Sequence, residues 1–211
     1  MYSISENDRL FLLNYFKKNT EKYVYTMGMT KIPVLSSDEV IINLIKDIIS
    51  SQLNIENFIL LGDNFFKHNL SYFPHCDASE VNAWMNILIP LELPIPGQKF
   101  IIFDQIWNGP PTTWLGNFKI SANFLNNKKT NARPFDSALL ENKVDNEIEE
   151  EEIFQHIGNQ FLTKDYLYGL SGKIVDWIPG KIITFDSRQI HMTGKMSSPY
   201  KIGLSARIGK L

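Results

Sequence analysis

The chain has 211 residues, 44% of them hydrophobic and 21% charged, and its 21 basic and 23 acidic side chains leave a formal net charge of −2. That length suits a single domain, 1–211, with a sizeable core, and so balanced a charge offers no bulk attraction to nucleic acid or to a membrane surface. A single cysteine, Cys76, excludes an internal disulfide and fits a reducing compartment.

The opening "MYSISENDRLFLLNYFKK" carries acids among its first residues and no unbroken apolar core, so it does not read as a signal peptide, and no apolar run reaches spanning length. A soluble cytoplasmic protein is expected. Residues 1–55 read as a helical N-terminal part. One helix is predicted from Asn7 to Lys18. A second follows "SSDE", where Ser36 and Glu39 have capping-box spacing and Val40, Ile41, Leu44, Ile45, Ile48 and Ile49 recur at the helical period. These apolar faces need a partner surface.

From Phe58 onward the texture is that of strands: "FILLGD", "HNLSYFPHCD", "AWMNILIPLEL" and "KFIIFDQIW" are short apolar or alternating runs broken by Gly, Pro and Asn. In the third, Met85, Ile87 and Ile89 alternate with Trp84, Asn86 and Leu88, so one face packs and the other lines a cavity. Residues 105–142 are rich in Gly, Pro, Asn and Thr and are expected to be long loops, with one strand around Gly116 to Asn123. Trp107 and Trp114 on that loop serve equally as a stacking rim for a substrate or as anchors holding the loop down. An acidic insert at about 140–165 contains "DNEIEEEE", a solvated helix start or surface insert, and then the helical spacing of Ile153, Phe154, Ile157 and Phe161. "GKIVDWIPG", "KIITFDSRQIHMTG" and "YKIGLSARIG" return to strands. Many short strands with helices at the front predict a mostly β protein, a barrel or sandwich braced by α-helices.

Four histidines are candidates for chemistry. His156 sits in the acidic segment and reads as a surface residue, and His68 falls on the opposite face from His75 if their strand is unbroken. In "HCD", His75 and Asp77 project to one side of a strand and Cys76 to the other. His191 ends the run "IITFDSRQIH", next to a predicted turn, where a barrel mouth gathers ligands. Two histidines and a carboxylate with open coordination positions form the facial triad of non-haem ferrous oxygenases, and His75, Asp77 and His191 meet that requirement. In "KIGLSARIG", Lys201, Gly203, Ser205 and Arg207 share one face and Ile202, Leu204, Ala206 and Ile208 the other. Two inward cations are costly without partners. A dicarboxylate beside the metal supplies both.

With "HCD", "GKIITFDSRQIHMTG" and "YKIGLSAR" in place, the sequence resembles the Fe(II)/2-oxoglutarate-dependent oxygenase superfamily: an HxD pair, a distant histidine, and a basic residue about ten positions later at the start of the last core strand. The resemblance covers residues 58–208. It implies a double-stranded β-helix core (a jelly-roll, cupin-like barrel), Fe(II) held by His75, Asp77 and His191, and 2-oxoglutarate and dioxygen as cosubstrates. It also implies hydroxylation of a C–H bond, with succinate and carbon dioxide as coproducts. Lys201 takes the distal carboxylate of 2-oxoglutarate. Many family members have arginine there, a bidentate fork rather than a point charge, so Arg207 is the alternative anchor. Ser205, Tyr72 and Asn86 are further candidates for cosubstrate contacts. Asp77 argues against the halogenating branch, which has a small residue at that place. The substrate expected is a small molecule or an amino-acid or peptide side chain, with no nucleic acid and no membrane as partner. Two other readings are a cupin-like metalloenzyme without 2-oxoglutarate and a non-catalytic ligand-binding barrel.

Overall fold

The computed structural model of the protein describes residues 2–26, 29–34, 38–70, 83–107, 140–142, 155 and 172–211. Ser5 caps the first helix, α1 (Glu6–Lys18), its hydroxyl accepting the Asp8 backbone N–H at 3.1 Å. Strands β1 (Val24–Thr26) and β2 (Met29–Pro33) follow, then helix α2 (Glu39–Leu53). The core strands are β3 (Phe58–His68), β4 (Ala83–Glu92), β5 (Lys99–Trp107), β6 (Leu140–Asn142), β7 (Gly172–Asp176), β8 (Ile183–Asp186), β9 (Gln189–Thr193) and β10 (Lys201–Lys210).

They form two antiparallel sheets. The larger has the order β1-β2-β3-β10-β4-β8; in the smaller, β5 pairs with β6 and β7 along one edge and with β9 along the other. Successive strands of the core change sheets, β4 to β5, β7 to β8, β8 to β9 and β9 to β10. That crossing back and forth is a double-stranded β-helix with helices on its flank, the jelly-roll class expected.

Two apolar layers hold it together. Leu12, Leu13 and Phe16 of α1 and Ile41, Ile45, Ile48 and Ile49 of α2 pack on the outer face of the large sheet, against Phe65, Ile87, Ile89, Ile202, Leu204, Ala206 and Ile208. The predicted apolar faces of the helices thus find their partner in the aliphatic face of the last strand. Between the sheets, Phe66, Leu88, Ile183 and Phe185 meet Phe100, Ile102 and Trp177. Each fully buried side chain of this size contributes about 1.5–3 kcal/mol relative to exposure. Among the described residues no helix is long and apolar enough to cross a membrane.

Several expectations need correction. Residues 1–55 are not only helical, since β1 and β2 extend the large sheet beside β3. Helix α2 starts at Glu39 with Asp38 as its N-cap, so Glu39 occupies the first helical position rather than the third, and the Asp38 carboxylate is taken by Lys22 at 3.0 Å instead of a capping bond. Ser36 lies outside the described residues. Residues 105–107 and 140–142, expected in long loops, are strand instead: β5 runs to Trp107 and its last three residues pair with β6. The run "IITFDSRQIH" is two strands in different sheets, separated by a turn at Ser187 and Arg188 where Asp186 accepts the Arg188 N–H at 2.9 Å. The strand expected at 116–123, Trp114, the acidic stretch 145–152 and His156 lie outside the described residues.

Candidate active site

The site is built where β9, β10 and β5 face one another between the sheets. His191, in the middle of β9, is 4% exposed and lies opposite Ile102 of β5. Its ring packs on Phe185 at 4.5 Å and Phe100 at 5.6 Å between centroids. Its Nδ1 lies 3.0 Å from the Gln189 carbonyl oxygen. A carbonyl only accepts, so Nδ1 carries the proton and Nε2 the lone pair, the tautomer of a metal-ligating histidine oriented by its second nitrogen.

Two residues along the same strand face is Thr193, whose Oγ1 accepts a hydrogen bond of 2.9 Å from Lys201 Nζ. Lys201 opens β10 and is 1% exposed, with its ammonium 3.9 Å above the Trp177 ring centroid and 5.5 Å from that of Phe100. No carboxylate among the described residues pairs with it. Burial pushes its pKa down from 10.5 to about 7, since desolvation penalises the charged form.

The register of β10 places the remaining candidates. Gly203 lies opposite Phe66, Ser205 opposite Asn64 and Leu88, and Arg207 opposite Gly62 and Asn86. Asn86 is fully buried, while Ser205 and Arg207 are half-buried. Of the two inward cations, then, only Lys201 is shut from solvent. Arg207 stands six residues along an extended strand, about 20 Å from it by backbone rise, and its guanidinium covers Gly62, where a Cβ would come within 2.8 Å of Nη2. His68 closes β3 opposite Lys201 and contacts Met29.

Tyr72, His75 and Asp77 lie outside the described residues. Among the described residues no group of three His, Cys, Asp or Glu is placed to hold a metal; two of the three expected ligands are not among them. Sequence reasoning missed Thr193 and Trp177. Thr193 had a signal, the two-residue spacing that puts it on the His191 face, but "MTG" reads first as a turn. Trp177 had none, because it follows a strand far from β10 in sequence. Two further acids stand apart, one buried and one half-buried. Asp104 on β5 is 3% exposed, and its Oδ2 has no hydrogen-bond partner among the described residues. Asp63 on β3 is pushed up to about 7 by burial, against the opposing pull of Arg207 and Lys46.

No family model matches the chain, and neither does any curated protein. Solved structures do. The non-haem α-ketoglutarate-dependent carbocyclase SnoK from nogalamycin biosynthesis superposes with a TM-score of 0.54 at 9% identity, covering 98% of this chain and 76% of that one. HygX from Streptomyces hygroscopicus, with nickel and 2-oxoglutarate bound, gives 0.53 at 8% identity over 99% of this chain and 80% of its own. A Pseudomonas putida prolyl-4-hydroxylase gives 0.50 at 9% identity over 100% of this chain and 90% of its own. The chain therefore has the double-stranded β-helix fold shared by these Fe(II)/2-oxoglutarate-dependent oxygenases.

Proposed function

We propose that the protein is a non-haem Fe(II)- and 2-oxoglutarate-dependent oxygenase, an oxidoreductase that hydroxylates a C–H bond of a small molecule or of an amino-acid or peptide side chain. The observation that carries this reading is the Lys201 ammonium, buried between Thr193 and the Trp177 ring with no carboxylate partner among the described residues. A charge so placed is stabilised by an anion supplied from outside the protein. A diacid that also chelates a metal near His191 puts its far carboxylate there. The donor set fits the metal as well, since His191 presents Nε2 with its lone pair in an aromatic, water-poor setting. His75 and Asp77, outside the described residues, are the proposed companions that complete the facial triad.

Bound Fe(II) and 2-oxoglutarate together supply the oxidising chemistry, which couples loss of carbon dioxide from the diacid to oxidation of the substrate. The chain's own residues do the rest. Lys201 and Thr193 fix the diacid by its far end, Gln189 sets the tautomer and tilt of His191, and Phe100, Phe185 and Trp177 exclude water. Hydroxylation is the outcome proposed. Structures of this fold include proteins described as a carbocyclase and an epimerase, so substrate placement governs which oxidation follows.

Anaerobic addition of Fe(II) and then 2-oxoglutarate tests the reading. A visible charge-transfer band that appears only with both present, and is lost in His191→Ala, is the expected result. A protein that binds Fe(II) with no response to 2-oxoglutarate is instead a cupin-like metalloenzyme, and one that binds neither is a ligand-binding barrel.

A further inference from the structure

The pocket proposed beside Lys201 has further hydrogen-bond donors around it. Thr193 Oγ1 accepts from Lys201 at 2.9 Å, so the ammonium keeps two protons and the hydroxyl keeps its own to give. Trp177 is 2% exposed, and its Nε1–H, a donor only, has no partner among the described residues. The indole is packed among its neighbours. Its backbone N–H is bound to the Gln98 carbonyl at 2.9 Å, and its ring is tilted against Phe66 at 5.9 Å and Phe100 at 6.1 Å. Gly203 leaves the space it fills, since a Cβ there would stand 2.7 Å from Trp177 Cζ2.

Leaving a buried indole N–H unpaired carries the full desolvation cost of a donor. A water molecule has two lone pairs and accepts from two of these three donors at most. A carboxylate has two oxygens and about four lone-pair sites, enough for an ammonium, a hydroxyl and an indole together. We propose that Trp177 is a binding residue of this pocket, its Nε1–H donating to the same carboxylate that Lys201 holds by charge and Thr193 by its hydroxyl. The ring therefore acts twice, its face beneath the ammonium and its edge toward the anion. This inference rests on the proposed function, in which that carboxylate is the far end of 2-oxoglutarate.

Trp177→Phe keeps an aromatic ring on the residue and removes the N–H, together with three heavy atoms of the indole. Calorimetric titration of 2-oxoglutarate into the Fe(II)-loaded protein without oxygen should then show Kd raised about 10- to 100-fold, the loss expected for one hydrogen bond to a charged group, with Fe(II) affinity unchanged. In the wild type loaded with Zn(II) as a diamagnetic stand-in, the Trp177 indole N–H resonance should move downfield on adding 2-oxoglutarate. The chain has four tryptophans, so Trp84→Phe, Trp107→Phe and Trp114→Phe identify that resonance by elimination even if Trp177→Phe fails to fold. An indole resonance that stays in place, or a Kd in a folded Trp177→Phe equal to that of the wild type, overturns the inference while leaving the proposed function standing. A wild type that binds no 2-oxoglutarate overturns both.

Discussion

Lys201 is a long cationic side chain on a strand whose neighbours are aliphatic or glycine, and its burial sets two pH dependences of opposite sense. Its pKa falls from 10.5 to about 7 on folding. Between those values the unfolded chain holds a proton that the folded chain has released, so the stability of the ligand-free protein climbs as pH rises through that window. Anion binding needs the ammonium, so the half-saturating concentration of 2-oxoglutarate should rise as pH climbs above about 7. Lys201→Met, which keeps most of the side chain's length and removes its charge, should stabilise the ligand-free protein at about pH 6 by roughly 2 kcal/mol or more, seen as a higher thermal midpoint. The same variant should lose 2-oxoglutarate binding at every pH. Melting curves and titrations at about pH 6 and about pH 8.5 check both, and a Met variant less stable than the wild type at the lower pH would mean that an anion or acid already neutralises the ammonium. At this scale much is legible in the sequence. Alternation along "KIGLSARIG" puts Lys201 inward with no structure at all. It cannot say that Lys201 is buried while Arg207, on the same face, is half-exposed, because that depends on which residues of the other sheet stand opposite.

Single elements show where reading the chain works and where it stops. Strand β10 has aliphatics on the helix side and Lys201, Gly203, Ser205 and Arg207 on the other, as alternation requires. Gly203 is the exception to ordinary strand preference. Glycine weakens a strand interior, so alanine should strengthen β10 if only the backbone mattered. A Cβ at this point would lie 2.7 Å from Trp177 Cζ2 and 2.8 Å from Phe66 Cζ, both atoms of rigid rings. Gly203→Ala should therefore destabilise by about 1–3 kcal/mol, the usual cost of overpacking, and weaken 2-oxoglutarate binding by moving Trp177. Thermal melts and the same titration report the two effects, and an alanine variant of unchanged stability and affinity would show that the rings have room to move. Elsewhere the signal is local and the answer is not. "IITFDSRQIH" alternates well enough to pass for one strand, and only the Asp-Ser pair hints at the turn that sends β8 and β9 to different sheets. Strands β1 and β2 are short and sit between two strong helical patterns; β1 pairs with β2 close by in sequence, while the pairing of β2 with β3 rests on contacts that lie far apart along the chain.

Over the whole molecule, the large sheet divides two tasks. Its outer face and the two helices form one apolar layer, and its inner face with the small sheet forms the other, which holds Trp177, Phe100 and the surroundings of His191. Many short strands and the spacing from "HCD" to His191 to Lys201 suffice to suggest this architecture. Which strand joins which sheet is a matter of long-range pairing, which periodicity does not encode. The division predicts a separation of effects. Ile45, in the middle of α2, is fully buried in the outer layer, and Ile45→Ala should cost about 2–5 kcal/mol through lost burial and the cavity left behind. No atom of the Lys201 pocket belongs to that layer, so the folded fraction of Ile45→Ala should bind 2-oxoglutarate with the wild-type midpoint. Lys201→Met should do the reverse, keeping or gaining stability while losing the ligand. Denaturant melts and 2-oxoglutarate titrations of the two variants, singly and combined, test this. The faces are independent if the stability changes add to within about 0.5 kcal/mol. A shifted midpoint in folded Ile45→Ala would instead show that the helices set the position of β10, and with it the depth at which Lys201 presents its charge.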